Sequence, residues 1–238
     1  MSPVTPGDSP REIPPSLFAD DDGSLHPDVA AVLHGTSTPF EVVNVLTRSR
    51  LLVPVVAVLD EADDVTGADK DSHMASVTLI NAEGRAGLLA FTSTASLQSW
   101  DEQARPVPVP GLSAAQAAIA EADALIIDVA GPSQIVIDGP GLRAMAEGRE
   151  WLPPIDDEVV IDNVHASLAL LASDGWVNVR IDPSQTADFV VVLELPGGGH
   201  PDGRSGQELA DAAAQSLARN VILRSRLING LQIGVDRP

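Results

Sequence analysis

The pattern of apolar and polar positions divides the chain into short strands and helices. Residues 51–59 (LLVPVVAVL) form a continuous, valine-rich apolar run, which is typical of a strand buried on both faces. Pro54 within this run lacks an amide donor, so we expect it early in the strand or on a sheet edge. Further strands are predicted at 74–80, 88–91, 124–130 and 133–137.

Helical segments alternate with these strands. Pro27 suits the first turn of a short helix, because its missing N–H would be unpaired there anyway. Ser37 or Thr38 is placed to cap a second helix that Arg48 and Arg50 close. Three more helices are predicted at 93–103, 113–123 and 142–148.

The C-terminal part of the chain has its own pattern. Residues 150–158 hold two prolines followed by an acidic run, which predicts a linker. Beyond it, the order helix, strand, strand, helix, strand predicts a small layer with helices on one face of an antiparallel sheet. These elements are predicted at 164–173, 176–181, 189–195, 205–228 and 231–235.

The expected fold is therefore α/β in the broad sense (α+β). A mixed sheet flanked by helices is followed by a smaller α+β domain. The predicted organisation is a disordered, proline-rich tail at 1–16, an α/β domain at 24–149, the linker at 150–158 and a C-terminal α+β domain at 159–238.

Charge and composition narrow the classes of partner. The formal net charge is −20, aromatic residues make up 3% of the chain, and cysteine is absent. Such a surface repels polyanions and offers few stacking platforms, so we expect neither nucleic-acid nor membrane binding. The absence of cysteine excludes disulfides and thiolate sites. No apolar run reaches the ~18 residues of a membrane span and no signal pattern opens the chain, so we expect a cytoplasmic protein.

Short motifs in the first half of the chain carry a family resemblance. They are the run from Leu51 to Val56, Lys70-Asp71, Val77-Thr78-Leu79, Gly84-Arg85, Ala90-Phe91-Thr92-Ser93, Leu97, Trp100 and the segment from Ala104 to Val109. Together they resemble the SseB family, the serine-sensitivity-enhancing proteins, in the form seen in actinobacterial members. The resemblance covers about 40–148 and, more loosely, the C-terminal half.

The chain departs from this family at one turn. Members often carry Asn-Pro shortly after the strand that here ends in Leu125-Ile126-Ile127. This chain instead has Asp128-Val129-Ala130-Gly131-Pro132. The resemblance implies an α/β fold and no established catalytic activity.

The junction between a strand and a helix at Phe91, Thr92 and Ser93 is the first candidate binding site. Phe91 is expected in the core, while free amides at the start of the helix could hold an anion or a partner's carboxylate. Alternatively, Thr92 or Ser93 only caps that helix. Trp100 and Arg105 are expected nearby. These five residues define the predicted contact surface for an unidentified protein partner.

The second candidate is the glycine-rich loop from Gly198 to Ser205, which follows a strand and precedes a helix. A phosphate loop needs lysine after its second glycine, but this loop has Arg204 there and Asp202 close by. A small-molecule or nucleotide-binding regulator that uses this loop is the alternative function. A flexible connection between strand and helix is the alternative interpretation of the loop.

Isolated polar residues show no catalytic or metal-binding spacing. His165 near Asp162 has no HxxxH partner and no nucleophile elbow, and the acidic loop at 60–72 shows no ligand periodicity. We therefore predict no catalytic residue, no cofactor and no metal. The predicted function is a non-enzymatic interaction or regulatory protein, whose oligomeric state the sequence leaves open.

Overall fold

The computed structural model describes residues 18–58, 73–172, 177–195 and 203–236. In these ranges the chain forms helices and three small sheets, an α+β fold, which confirms the predicted class. The predicted tail at 1–16, the acidic loop at 60–72 and residues 198–202 of the glycine-rich loop lie outside the described residues. None of the described helices is long and apolar enough to cross a membrane.

The elements are numbered in chain order. The helices are α1 (Pro27–His34), α2 (Pro39–Arg48), α3 (Thr94–Trp100), α4 (Gly111–Glu121), α5 (Gly139–Glu147), α6 (Glu158–Ala172), α7 (Gly206–Arg219) and α8 (Val221–Arg226). The strands are β1 (Arg50–Val58), β2 (His73–Ser76), β3 (Thr78–Ile80), β4 (Ala86–Ala90), β5 (Arg105–Pro110), β6 (Ala124–Ile127), β7 (Ile135–Asp138), β8 (Asn178–Asp182), β9 (Phe189–Glu194) and β10 (Leu231–Asp236).

Two sheets lie in the N-terminal half. One is antiparallel with the order β2-β1-β5, and the other is the predicted mixed sheet, with the order β3-β4-β6-β7. Residues 74–80, predicted as one strand, belong to both sheets. The break falls at Val77, whose carbonyl accepts from Leu89 on β4, whereas Ser76 pairs with Val55 on β1.

Pro54 lies in the middle of the central strand β1, so the prediction of an early or edge position is wrong. Leu52 and Phe91 exchange backbone hydrogen bonds of 2.8 Å on the side of β1 away from β5. Backbone direction alternates along a strand, so Pro54, two residues after Leu52, also directs its backbone nitrogen away from β5. It falls between the Phe91 bridge and the pairing with β2, which begins at Val55. The ladder therefore needs no donor there.

The same alternation explains the prolines of β5. Pro106, Pro108 and Pro110 face Pro54, Leu52 and Arg50 across the sheet. Their missing amides therefore point away from β1, toward the outer edge of β5. Prolines at alternate positions protect this edge against further strand pairing.

Helices α2, α4 and α5 cover one face of the mixed sheet, and α1 packs on α2. The core beneath them is built from fully buried side chains that include Leu46, Leu88, Leu125 and Met145. Gly111 permits the close packing of α4 on α2, because a Cβ there would lie 2.0 Å from the carbonyl oxygen of Leu46. A smaller cluster under α3 covers part of the opposite face.

The C-terminal sheet has the order β10-β9-β8, with β10 parallel and β8 antiparallel to β9. The prediction of an antiparallel sheet is therefore wrong. α7 and α8 form a crossover between β9 and β10, which returns the chain to the same end of the sheet and makes the two strands parallel. Leu168, Phe189, Leu193 and Leu209 are fully buried between this sheet and the helices.

The long helix predicted at 205–228 is two helices. They meet at Asn220, whose Oδ1 accepts from the amides of Ile222 and Leu223 at the start of α8. Its Nδ2 donates to Asn163 and Ser167 on α6. This polar contact with α6 ends one helix and begins the next.

The segment predicted as a linker packs against both halves. The Asn44 side chain bonds the backbone nitrogen and oxygen of Trp151 at 2.8 and 2.9 Å, and the Phe40 and Trp151 rings lie 4.5 Å apart. At the other end, the buried carboxylate of Asp157 accepts from Arg226 at 2.7 Å. The domain boundaries themselves stay a prediction.

Candidate functional site

The predicted binding junction at Thr92 is buried and bonded within the chain. Phe91, Thr92 and Ser93 are 0%, 3% and 6% exposed. The Thr92 amide donates to Asp128 Oδ1 at 2.9 Å, and its hydroxyl donates to Asp128 Oδ2 at 2.6 Å. Asp128 holds a left-handed φ of 50° and is itself 4% exposed. The turn at which the chain departs from the SseB pattern therefore secures the junction.

The start of α3 is also occupied by the chain itself. Ser93 caps the helix, because its hydroxyl accepts from the amide of Ser96. The amide of Thr94 donates to the carbonyl of Gly23 at 2.8 Å. Of the two alternatives at this junction, the structure shows the cap. The predicted helix at 93–103 is also shorter, ending at Trp100.

The guanidinium of Arg50 also forms a hydrogen bond to this junction. Arg50, predicted to close α2, instead begins β1. Its guanidinium donates to the carbonyl oxygens of Thr92 and Ser24 and pairs with Asp21 at 2.6 Å. The residues before α1 are thereby tied to the end of β4.

Trp100 and Arg105 differ from the other predicted site residues. Trp100 is half-buried, and its ring lies 5.6 Å from the ring of Phe91. Arg105 is exposed at the start of β5, opposite Val55. The structure thus joins four of the five residues in one packed unit and leaves Arg105 as the exposed charge beside it.

Only the end of the glycine-rich loop is described. Ser205 caps α7, and the Glu208 carboxylate accepts from the amide and hydroxyl of Ser205 at 2.7 and 2.9 Å. A carboxylate already lies at this helix start, where a phosphate would have to bind. Nucleotide binding by the loop stays a prediction.

The outer edge of β7 presents unpaired backbone groups. The amide of Asp128 donates to the carbonyl of Ala90 on β4. Backbone direction alternates along a strand, so the even-numbered positions of β6 face β4 and the odd-numbered positions face β7. Leu125 therefore bonds to β7, where it pairs with Ile137. The N–H and C=O of Val136 consequently point away from β6. Among the described strands, none pairs with this edge, and Val136 is 55% exposed.

A first pocket lies beside β7 on the helix-covered face of the sheet. Its volume is about 420 Å³, and Val42 and Val43 of α2, Gly141 of α5 and Trp151 form its apolar walls. A Cβ on Gly141 would lie 3.1 Å from the Trp151 ring, so the glycine lets the indole lie against α5. Trp151 Nε1 is the one buried side-chain nitrogen or oxygen without a hydrogen-bond partner in the described ranges.

A second pocket lies beside β7 on the opposite face. It has a volume of about 390 Å³, and its floor is formed by Leu79, Gly87 and Ile126. A Cβ on Gly87 would lie 2.3 Å from Ile126 Cδ1, so the glycine makes room for the isoleucine to cross β4. At its rim, a hydrogen bond to Asp138 raises the pKa of Arg85 above its ordinary value.

Both pockets are lined by Gln134 and Val136. The sequence predicted the β7 strand from its alternation but did not mark this edge as a site. The apolar Val136 between Ile135 and Ile137 in the predicted strand was the one available signal. Trp151 was assigned to a linker, and nothing near it in sequence indicates the pocket that it lines.

Comparison with known proteins supports the family resemblance. Residues 29–144 match the family model of the SseB protein N-terminal domain. No curated protein and no solved structure matches the chain. The matched residues include both N-terminal sheets, the Thr92–Asp128 junction and the β7 edge. This match identifies residues 29–144 as an SseB N-terminal domain, in agreement with the resemblance found in the sequence.

Proposed function

We propose that the protein is a non-enzymatic binding protein that takes up an extended segment of a protein partner along the free edge of β7. One observation carries the proposal: two apolar pockets lie on opposite faces of the sheet and share Gln134 and Val136 of this strand. A ligand that follows β7 reaches both pockets at once.

Strand addition explains why the pockets lie on opposite faces. Side chains of an extended peptide alternate between the two faces of a sheet, while its backbone pairs with the edge. The outward N–H and C=O of Val136 supply the backbone contacts. Successive side chains of the peptide then enter the pocket beside Trp151 and the pocket above Gly87 in turn.

The pockets and the charge indicate what kind of segment binds. Both pockets are mainly apolar, so the segment carries aliphatic or aromatic side chains at consecutive positions around its centre. The formal net charge of −20 favours a segment with lysine or arginine at its ends.

The predicted contact surface around Thr92 is the competing site. Three of its five residues are buried, and the polar groups of Thr92 and Ser93 bond within the chain. A partner could reach Arg105 and part of Trp100 only. We therefore favour the β7 edge, and the role of Trp100 and Arg105 in binding stays a prediction.

Selection of short random peptides on the full chain tests the proposal. We expect selected peptides to share adjacent apolar residues, basic ends and no central proline, because proline would remove a backbone donor. Val136→Lys is expected to weaken their binding by about tenfold or more. The lysine places a positive charge between the pockets and repels the basic ends of the peptides. Fluorescence polarisation of labelled peptides measures the affinity.

Two variants control this experiment. Ile119→Lys makes the same change at a 48% exposed position on α4 and is expected to leave the affinity unchanged. Arg105→Glu tests the competing surface. Peptides that bind Val136→Lys as tightly as the natural chain, or that lose affinity only with Arg105→Glu, would overturn the proposal.

A further inference from the structure

Among the described strands, none pairs with the outer edge of β10, which is therefore a second edge strand. The carbonyls of Gly230 and Asp236 accept from Asp188 and Leu195, each at 2.9 Å, so even-numbered positions of this segment face β9. By alternation, the backbone N–H and C=O groups of the odd-numbered positions point to the outer edge. These positions are Leu231, Ile233 and Val235.

This edge lacks the features that protect others. The strand reads LQIGVD, with no proline and with its single charge at the last position. β5 in the same chain carries prolines at its three outward positions. Open, uncharged edges pair readily with another strand.

An apolar groove borders the same strand on the helix side. It has a volume of about 470 Å³ and lies between α7, α8 and β10. Its apolar lining includes Leu217 of α7, Leu223 of α8, Leu227 directly after α8, and Leu231 and Ile233 of β10. One apolar side chain of the strand itself, Val235, is exposed as well, by 38%. Exposed apolar surface beside an open strand favours a protein partner over solvent.

The hydrogen-bonding pattern of β10 is complementary to itself. In antiparallel pairing about Ile233, Leu231 faces Val235 of the second copy, and Ile233 faces its own counterpart. All three facing pairs join outward positions, so each pair exchanges two backbone hydrogen bonds. A two-fold axis perpendicular to the sheet keeps the helices of both copies on one side, which places the second Val235 beside Leu231 at the groove.

Charge supports a second copy as the occupant. Residues 203–236 contain four arginines and three acidic residues, a net charge of +1, so the remainder of the chain carries −21. Two copies meeting through most other surfaces would repel each other. Because the segment that contains β10 is nearly neutral, it adds little to the repulsion between two copies.

We propose that two copies of the chain associate through antiparallel pairing of β10 about Ile233, forming a continuous six-stranded sheet across the two-fold axis. The groove beside Leu231 receives Val235 of the second copy. If the β7 proposal also holds, the dimer carries two peptide-binding edges, but dimerisation does not depend on it.

Sedimentation equilibrium of the full chain over a micromolar concentration range tests the proposal. We expect the mass of two chains at the upper concentrations. Val235→Lys is expected to raise the dimer dissociation constant by about tenfold or more, because symmetry introduces the lysine at both ends of the paired strands. Val221→Lys, an exposed apolar position on α8, is the matched control and is expected to dimerise like the natural chain.

Disulfide trapping gives a second, independent readout. The natural chain has no cysteine, so Ile233→Cys introduces a single thiol at the proposed axis. Directly facing antiparallel residues lie about 5.5 Å apart at Cα, within the range for a disulfide. Rapid oxidation to a cross-linked dimer is expected, and slow oxidation for Val221→Cys. A single-chain mass at every concentration, or equal oxidation of the two variants, would overturn the proposal.

Discussion

Thr92 donates both its backbone amide and its hydroxyl to the carboxylate of Asp128, at 2.9 and 2.6 Å. The two residues are 36 positions apart and follow the neighbouring strands β4 and β6. Their contact joins the start of α3 to the turn that leads into β7. The candidate peptide-binding edge is thus anchored, through one buried carboxylate, to the junction that the sequence had suggested as a site.

Asp128→Ala is expected to lower the free energy of unfolding by roughly 2–6 kcal/mol, because two buried donors of Thr92 lose their acceptor at about 1–3 kcal/mol each. Asp128→Asn keeps one acceptor and tolerates the left-handed conformation, so a smaller loss is expected. Urea denaturation at neutral pH measures both values.

Asp128→Gly separates the hydrogen bonds from backbone strain. Glycine adopts a φ of 50° without the steric cost that alanine bears, about 1–2 kcal/mol. We therefore expect the glycine variant to be more stable than the alanine variant by about that amount. Equal stability of the alanine variant and the natural chain would contradict the assigned role of Asp128.

The ion pair between Asp157 and Arg226 is expected to stabilise the C-terminal half. The two side chains are 10% and 21% exposed, and Nη1 lies 2.7 Å from Oδ2. Arg226→Ala leaves a nearly buried carboxylate without its cation, and we expect a loss of about 1.5–3 kcal/mol in the free energy of unfolding. Arg219→Ala, at the exposed end of α7, should cost well under this amount. Similar losses for both variants in thermal or urea unfolding would contradict the prediction.

The carboxylate of Glu194 is expected to make stability depend on pH. Hydrogen bonds from Arg180 and then from Asn178 hold the pKa of Glu194 below its ordinary value of 4.5. A lowered pKa in the folded state stabilises the fold above pH 4.5, and this contribution is lost as the pH falls through the folded value. The advantage of the natural chain over Glu194→Gln should therefore shrink below that pH.

Two measurements check this prediction. Unfolding of both chains at neutral and at acidic pH gives the difference in stability. An NMR titration of the Glu194 side chain should give a midpoint below 4.5. A midpoint at or above that value would show that Arg180 does not stabilise the carboxylate.

Local patterns predicted several features of the junction and of the caps. A strand followed by serine and threonine predicted the capped start of α3, and Ser93 supplies the cap. Thr38 and Ser205 likewise begin α2 and α7 as predicted. These features depend on residues within one turn of each other, so neighbouring sequence is sufficient to predict them.

Other features depended on residues far apart in the chain. Nothing around Asn220 interrupts the helical pattern, yet contacts with Asn163 and Ser167 on α6 divide the helix there. Pro54 conflicts with a central strand until the position of Phe91 shows that no donor is needed. Asp128 was noticed as a departure from the family, but its bond to Thr92 could not be predicted from the turn alone.

The sequence by itself determined the fold class, the order of most elements and the family of the N-terminal domain, because apolar periodicity, capping residues and short motifs each involve neighbouring positions. Only the tertiary structure showed that the polar groups of Thr92 and Ser93 bond within the chain, and which strands lie at sheet edges. Strand order leaves β7 and β10 at sheet edges, and packing opens pockets beside them. Edges and pockets arise from contacts between distant segments, so no local pattern contains them. The polar groups of the predicted junction bond within the chain, and the edge strands β7 and β10 lie outside it.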